Sequence, residues 1–245
     1  MPENQEALRG FIEGHVAPSL QELRILQTAP SHRSLLRQAL SRRTVEVRTV
    51  DHTDVFVFGG TVIGGMDHRV TTLVSAHARR IAADQTLTRK HLQLQNLPVP
   101  SEDQPLPDGL DVRAYVAGPQ VVAAVAYVPL AALEEQISPE ETLNAEQLAS
   151  LRSGPANPEG GIAVDVTELL DPALAELAAD ALWSVPGLAA GAVDLLVPQL
   201  DAAADAVVLG LDVEASVVTH HLPALGQSRD VAGAIVDQLL IRASR

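Results

Sequence analysis

Asp194 lies inside the apolar run Ala192-Val193-Asp194-Leu195-Leu196, where a carboxylate with no partner would be costly to bury. Its natural companions are a metal ion or a guanidinium, and Arg113, in the strand-like run Asp111-Val112-Arg113-Ala114-Tyr115-Val116, is the obvious cation. Arg113 has two readings: a phosphate ligand, or the structural ion-pair partner of a nearby carboxylate. His220 and His221 are adjacent. An extended backbone would point them to opposite sides, which argues against their ligating one metal together. Arg229 heads the final helix, where the dipole disfavours a cation, so it needs a neighbouring carboxylate or a bound anion. No Gly-x-Ser-x-Gly elbow, His-Glu-x-x-His pair or EF-hand loop is present.

These residues sit on elements that are legible from spacing. Apolar positions at helical intervals mark helices over 3–13, 18–27 and 31–42, with Ser31 as an N-cap. The period then falls to two through Val45–Val57. Gly59-Gly60 and Gly64-Gly65 bracket a third short strand, giving an antiparallel meander; no helix or Gly-Lys-Ser/Thr follows, so these glycines read as turns. Helices are expected over 70–83 and 85–95. The acidic, Pro-rich stretch 101–110 is the clearest connector in the chain. Beyond it come strands 111–117 and 121–128, helices 130–136 and 143–151, a Gly/Pro loop at 153–161, strand 162–167 and helix 171–183. Strands 190–197 and 205–212 and helix 228–242 complete an α+β pattern. Trp183 reads as core. Ala114–Leu133 is uncharged and long enough to raise the question of a membrane span, but Gly118-Pro119 and Pro129 divide it into a hairpin.

Composition narrows the function. The net charge of −14 is uneven: residues 1–100 carry 12 basic and 9 acidic side chains, residues 101–245 carry 5 and 22. The acidic part would repel phosphate backbones, which excludes nucleic acid as its partner. Arg37, Arg42, Arg43 and Arg48 read as decoration of a helix end and the next strand. Aromatics are 2% of the chain, so Ala, Leu, Val and Ile must build the core. Cysteine is absent, which removes disulfides and thiol chemistry, and the first residues lack a secretory pattern; we expect a cytoplasmic protein with no membrane association.

Five blocks in order resemble the ATP-grasp carboxylate–amine ligases, in the branch of cyanophycin and glutathione synthetases. They are Ser75–Asp84 with Leu97-Pro98-Val99-Pro100; Asp111–Val116 with Gln120–Ala124; Asn157 with Gly160-Gly161 through Thr167; Ala192–Leu196; and Val208–Asp230. The resemblance implies an N-terminal lobe over 1–100, a linker over 101–110 and a C-terminal ATP-grasp-like lobe over 111–245. It implies that Arg113, Asp194 and Asp212 are remnants of an ATP site, with Asp194 and Asp212 as metal ligands. His220, His221, Arg229 and Asn157 would then lie near a substrate or anion.

The departures matter as much. The family's Asp-Lys becomes Asp84-Gln85, and its Glu-x-Asn metal pair becomes Gly210-Leu211-Asp212. Ten residues, 101–110, stand where the family inserts its ATP-binding subdomain. From these losses we expect an ATP-grasp-like pseudoenzyme with no cofactor, serving as a binding, scaffold or regulatory subunit. The alternative is an Mg-ATP-dependent carboxylate–amine ligase, alone or completed by a partner chain. Loss of a covering subdomain should bare apolar sheet, so the expected partner is a second copy or a full-length ATP-grasp ligase. A small carboxylate or peptide is the expected ligand.

Overall fold

The computed structural model describes residues 6–25, 28–101, 105–137 and 161–244. Asn157, the helix expected over 143–151 and most of the loop expected at 153–161 lie outside them. The chain opens with α1 (Glu6–Phe11), which widens into a π turn (Ile12–Val16) and tightens into a 3-10 turn (Ala17–Glu22), where Pro18 forbids a regular helix. Helix α2 (His32–Arg42) starts where the sequence places it: Ser31 Oγ accepts the Ser34 amide.

A four-stranded antiparallel meander follows, β1 (Glu46–Val50), β2 (Thr53–Phe58), β3 (Thr61–Asp67) and β4 (Val70–Thr71). Gly59 and Gly60, both at positive φ, make the β2–β3 turn. Contrary to expectation, β3 runs straight through Gly64 and Gly65. A Cβ at Gly64 would lie 2.5 Å from Thr72 Oγ1 and one at Gly65 2.6 Å from the Asp54 carbonyl, so glycine is needed for close approach. The helix expected from 70 begins at 76, because Val70-Thr71 pair with β3 and Ser75 caps α3 (Ala76–Ala82). Asp84 caps α4 (Gln85–Leu94) through the amides of Thr86 and Leu87.

The second sheet is antiparallel throughout. It comprises β5 (Leu110–Ala117), β6 (Gln120–Pro129), β7 (Gly161–Asp165), β8 (Ala190–Val197) and β9 (Val207–Asp212), in the order β7-β6-β5-β8-β9. Helices α5 (Leu130–Gln136), α6 (Pro172–Trp183), α7 (Val218–His221) and α8 (Val231–Ala243) accompany it. No helix among the described residues is long and apolar enough to cross a membrane.

Strand alternation sorts the core into two layers. Val112, Ala114 and Val116 pack with Leu174 and Leu182 of α6, together with Phe11, Ile12 and Leu92. Tyr115, Ala123, Ala190 and Ala192 face the other way, against Leu36 and Leu40 of α2, Phe56 of β2 and Ile235 of α8. The alanines on this face let α8 approach closely, which is how a core with few aromatics reaches close packing. Both layers draw side chains from either side of 101–110.

One expectation fails here. Trp183 is 58% exposed, its indole N–H closing the β5–β6 turn on the Gly118 carbonyl at 2.9 Å. Where the second sheet face runs beyond its apolar layer, it carries Arg113, Asp194 and Asp212.

Candidate functional site

One cross-strand row holds the centre of this face. Antiparallel register lines up Asp165 of β7, Val125 of β6, Arg113 of β5, Asp194 of β8 and Gly210 of β9. Residues directly opposite share a face, so an ion pair forms on each side of Val125.

Arg113 meets Asp194 with two parallel hydrogen bonds, Nε to Oδ1 at 2.7 Å and Nη2 to Oδ2 at 3.0 Å. Asp212, two pairs along β9 opposite Ala192, stands 3.6 Å from Nη1. The guanidinium also lies over the Tyr127 ring, 5.9 Å from its centroid. Burial alone would weaken its hold on the proton, but the bonds and charge of Asp194, with help from Asp212, keep it above its ordinary value. Of the two readings of Arg113, the ion pair is what the structure contains. Gly210 faces Asp194 with open space: a Cβ there would meet no heavy atom within 4 Å.

Two cavities meet at Arg113 and Tyr127. The smaller, about 300 Å³, runs past Asp111, Asp194 and Gly210. The larger, about 740 Å³, opens between the two sheets, with His32, Arg33, His52 and Arg69 on the meander side and Asp212 on the other.

The remaining site residues expected from the sequence lie elsewhere. His220 and His221 occupy the helical turn α7, so they are not the extended pair the sequence suggested. His220 is wholly buried edge-on against Tyr115, with ring centroids 5.7 Å apart. Burial first, then repulsion from Arg113, pushes its pKa down to about 3. His221 accepts the Ala232 amide at Nε2, 3.0 Å away, and pins the start of α8. Arg229 donates to Asp165 at 2.7 and 3.0 Å and to Glu168 at 3.1 Å, so its charge is answered by two carboxylates. Among the described residues no group of three or more His, Cys, Asp or Glu is arranged to hold a metal ion.

Sequence reasoning missed the meander wall of the larger cavity. His32 Nδ1 accepts the Val217 amide at 3.3 Å, while its Nε2 is buried with no partner among the described residues. Arg33 and Arg37 share the buried carboxylate of Asp54, which also accepts from Thr49. The His-Arg pairs at 32–33 and 68–69 were the available signal, but only the fold brings them to one cavity. Arg42, Arg43 and Arg48 answer Asp230, Asp237 and Glu46, as decoration of a helix end and strand requires.

No family model matches the sequence, and no curated protein matches it. Solved structures are similar to it. A bifunctional glutathione synthetase from Pasteurella multocida superposes with a TM-score of 0.67 at 15% identity, over 87% of this chain and 44% of that one. The ATP-grasp ligase PsnB in complex with a minimal precursor gives a TM-score of 0.43 at 15% identity, over 68% of this chain and 63% of that one. The chain therefore has an α+β fold of the ATP-grasp type and spans less than half the length of the synthetase it resembles.

Proposed function

We propose that this chain is an ATP-grasp-like pseudoenzyme, a binding or regulatory subunit that does not ligate by itself. The observation that carries the reading is the Arg113–Asp194 pair opposite Gly210. Magnesium needs carboxylate oxygens free to coordinate it, and phosphoryl transfer depends on cations free to meet phosphate. Both Asp194 oxygens are engaged by Arg113, and Gly210 offers no side-chain oxygen beside them. These residues do not fit the metal-bound nucleotide of the ligases.

The expected partner is a second copy of the chain or a complete ATP-grasp ligase, and the expected ligand a small carboxylate or peptide in the cleft. A second reading, a carboxylate–amine ligase completed by a partner chain, draws support from the convergence of Asp194 and Asp212 on one cation. Calorimetry with Mg-ATP separates the two. The first reading predicts no heat from the chain alone or beyond the ligase's own signal in a mixture; the second predicts additional heat in the mixture only. Light scattering that finds a monomer with no affinity for the ligase would remove the subunit role.

A further inference from the structure

We infer that the free edge of β1 is a dimerisation surface, on which a second copy of this chain adds its own β1 antiparallel about a two-fold axis through Val47. The inference gives a surface to the second copy proposed above, and it uses none of the residues around Arg113.

The edge of β1 takes no backbone hydrogen bond from elsewhere among the described residues. The other sheet edges differ. In β9 the Val208 amide donates to the Pro98 carbonyl, and β7 exchanges hydrogen bonds with Leu225. The far edge of the meander, β4, is two residues long. By contrast β1 runs for five residues with no proline and no break in register, and four of its five side chains are exposed. Unpaired backbone groups along such an edge template pairing with another chain.

The geometry of β1 limits how a copy can pair. The two-residue turn Asp51-His52 closes β1 on β2 at Val50 and Thr53. A turn of this length closes on a hydrogen-bonded pair. Alternation then sends the backbone groups of Glu46, Arg48 and Val50 to β2, and those of Val47 and Thr49 to the free edge. A two-fold partner must meet this edge with its own Val47 and Thr49, so the registers of useful overlap centre on Glu46, Val47 or Arg48.

Charge selects among them. Centring on Arg48 sets two guanidiniums opposite each other, and centring on Glu46 sets two carboxylates opposite each other. Centring on Val47 sets Glu46 opposite the partner's Arg48, and Arg48 opposite the partner's Glu46. Within one strand Arg48 already donates to Glu46 at 2.9 and 3.0 Å, so the four charges alternate in sign around a ring. They fall on non-hydrogen-bonded pairs, where facing side chains come closest. The same register makes backbone hydrogen bonds between the two Val47 residues and from each Thr49 amide to the partner's Val45 carbonyl. The Val45 amide is already given to the Leu40 carbonyl, so the ladder stops there.

So short a joint lies at the small end of specific interfaces, and sedimentation equilibrium of the full chain should show a monomer–dimer transition between about 5 and 500 µM. Arg48→Glu sets carboxylates against each other and Glu46→Arg sets guanidiniums against each other; each should weaken self-association at least about tenfold. Mixing the two variants should restore it, because every facing pair is then opposite in charge. Both side chains are exposed, at 61% and 59%, so neither change disturbs the core. In the parent chain, hydrogen exchange at the Val47 and Thr49 amides should slow as concentration rises, whereas that of Arg48, already bonded to β2, should not. A monomer throughout this range overturns the inference, as does a dimer that ignores both reversals, is not restored by mixing or leaves those two amides unprotected. Such a dimer would leave the second-copy reading standing on another surface. Mg-ATP binding would instead overturn the pseudoenzyme reading and leave this inference intact.

Discussion

The Arg113 guanidinium and the Asp194 carboxylate lie in register across β5 and β8, joined edge to edge by hydrogen bonds of 2.7 and 3.0 Å. The pair leaves both charges electrically satisfied.

Breaking that pair should cost stability. Removing one member of a buried pair costs about 3–5 kcal/mol, but these side chains keep 20% and 32% exposure, which lowers the expectation for Asp194→Asn to about 1–3 kcal/mol in urea unfolding. Asp212→Asn acts on a longer, more exposed contact and should cost under about 1 kcal/mol. Equal costs would show that Arg113 does not favour Asp194.

Gly210 should accept a side chain. Its Cβ direction is open, and replacing a glycine inside a strand removes an entropic penalty, so Gly210→Glu should leave the melting temperature within about 4 °C of the parent. With Asp194 and Asp212 it would place three carboxylates around Arg113, and millimolar Mg²⁺ should then raise the melting temperature of the variant more than that of the parent. Misfolding would show that the space is not open.

The protein should lose stability on the acid side in two stages. His32 and His220 are held neutral, at about 4 and about 3, whereas unfolded imidazoles take up protons near 6.5. Below pH 6.5 the unfolded chain therefore binds more protons, and stability falls with pH until those lower values are reached. For His32 alone the full loss is about 3 kcal/mol. Asp54 has the opposite charge and a pKa held well below its usual 3.8, first by hydrogen bonds from Arg33, so its contribution is present above 3.8 and fades only below it. In urea unfolding from pH 7 to pH 4, His32→Asn should flatten the first stage; an unchanged slope would mean that His32 does not titrate as its burial requires.

Much of the frame was legible because local chemistry and tertiary packing agree. Ser31 caps α2, Gly118 turns β5 into β6, and strand 190–197 begins and ends where alternation and composition place it. The pairing of Arg113 with Asp194 was legible too, since a carboxylate in an apolar strand needs a cation. The rest depended on contacts distant in sequence. His220-His221 look extended from composition, yet α7 forms a helical turn there, one ring against Tyr115 and the other on the first turn of α8. Arg229 looks like a spare cation until β7 brings Asp165 to it across 64 positions. The cavity wall of His32, His52 and Arg69 is assembled by the meander folding over the second sheet, and no local spacing encodes that.

The central claim is that the chain keeps an ATP-grasp architecture without the means to hold metal-bound nucleotide. Calorimetric titration of Mg-ATP into the isolated chain tests it most directly. The account predicts no saturable heat at any accessible concentration. Stoichiometric binding that requires Mg²⁺ and disappears in Asp194→Asn and Asp212→Asn would contradict it.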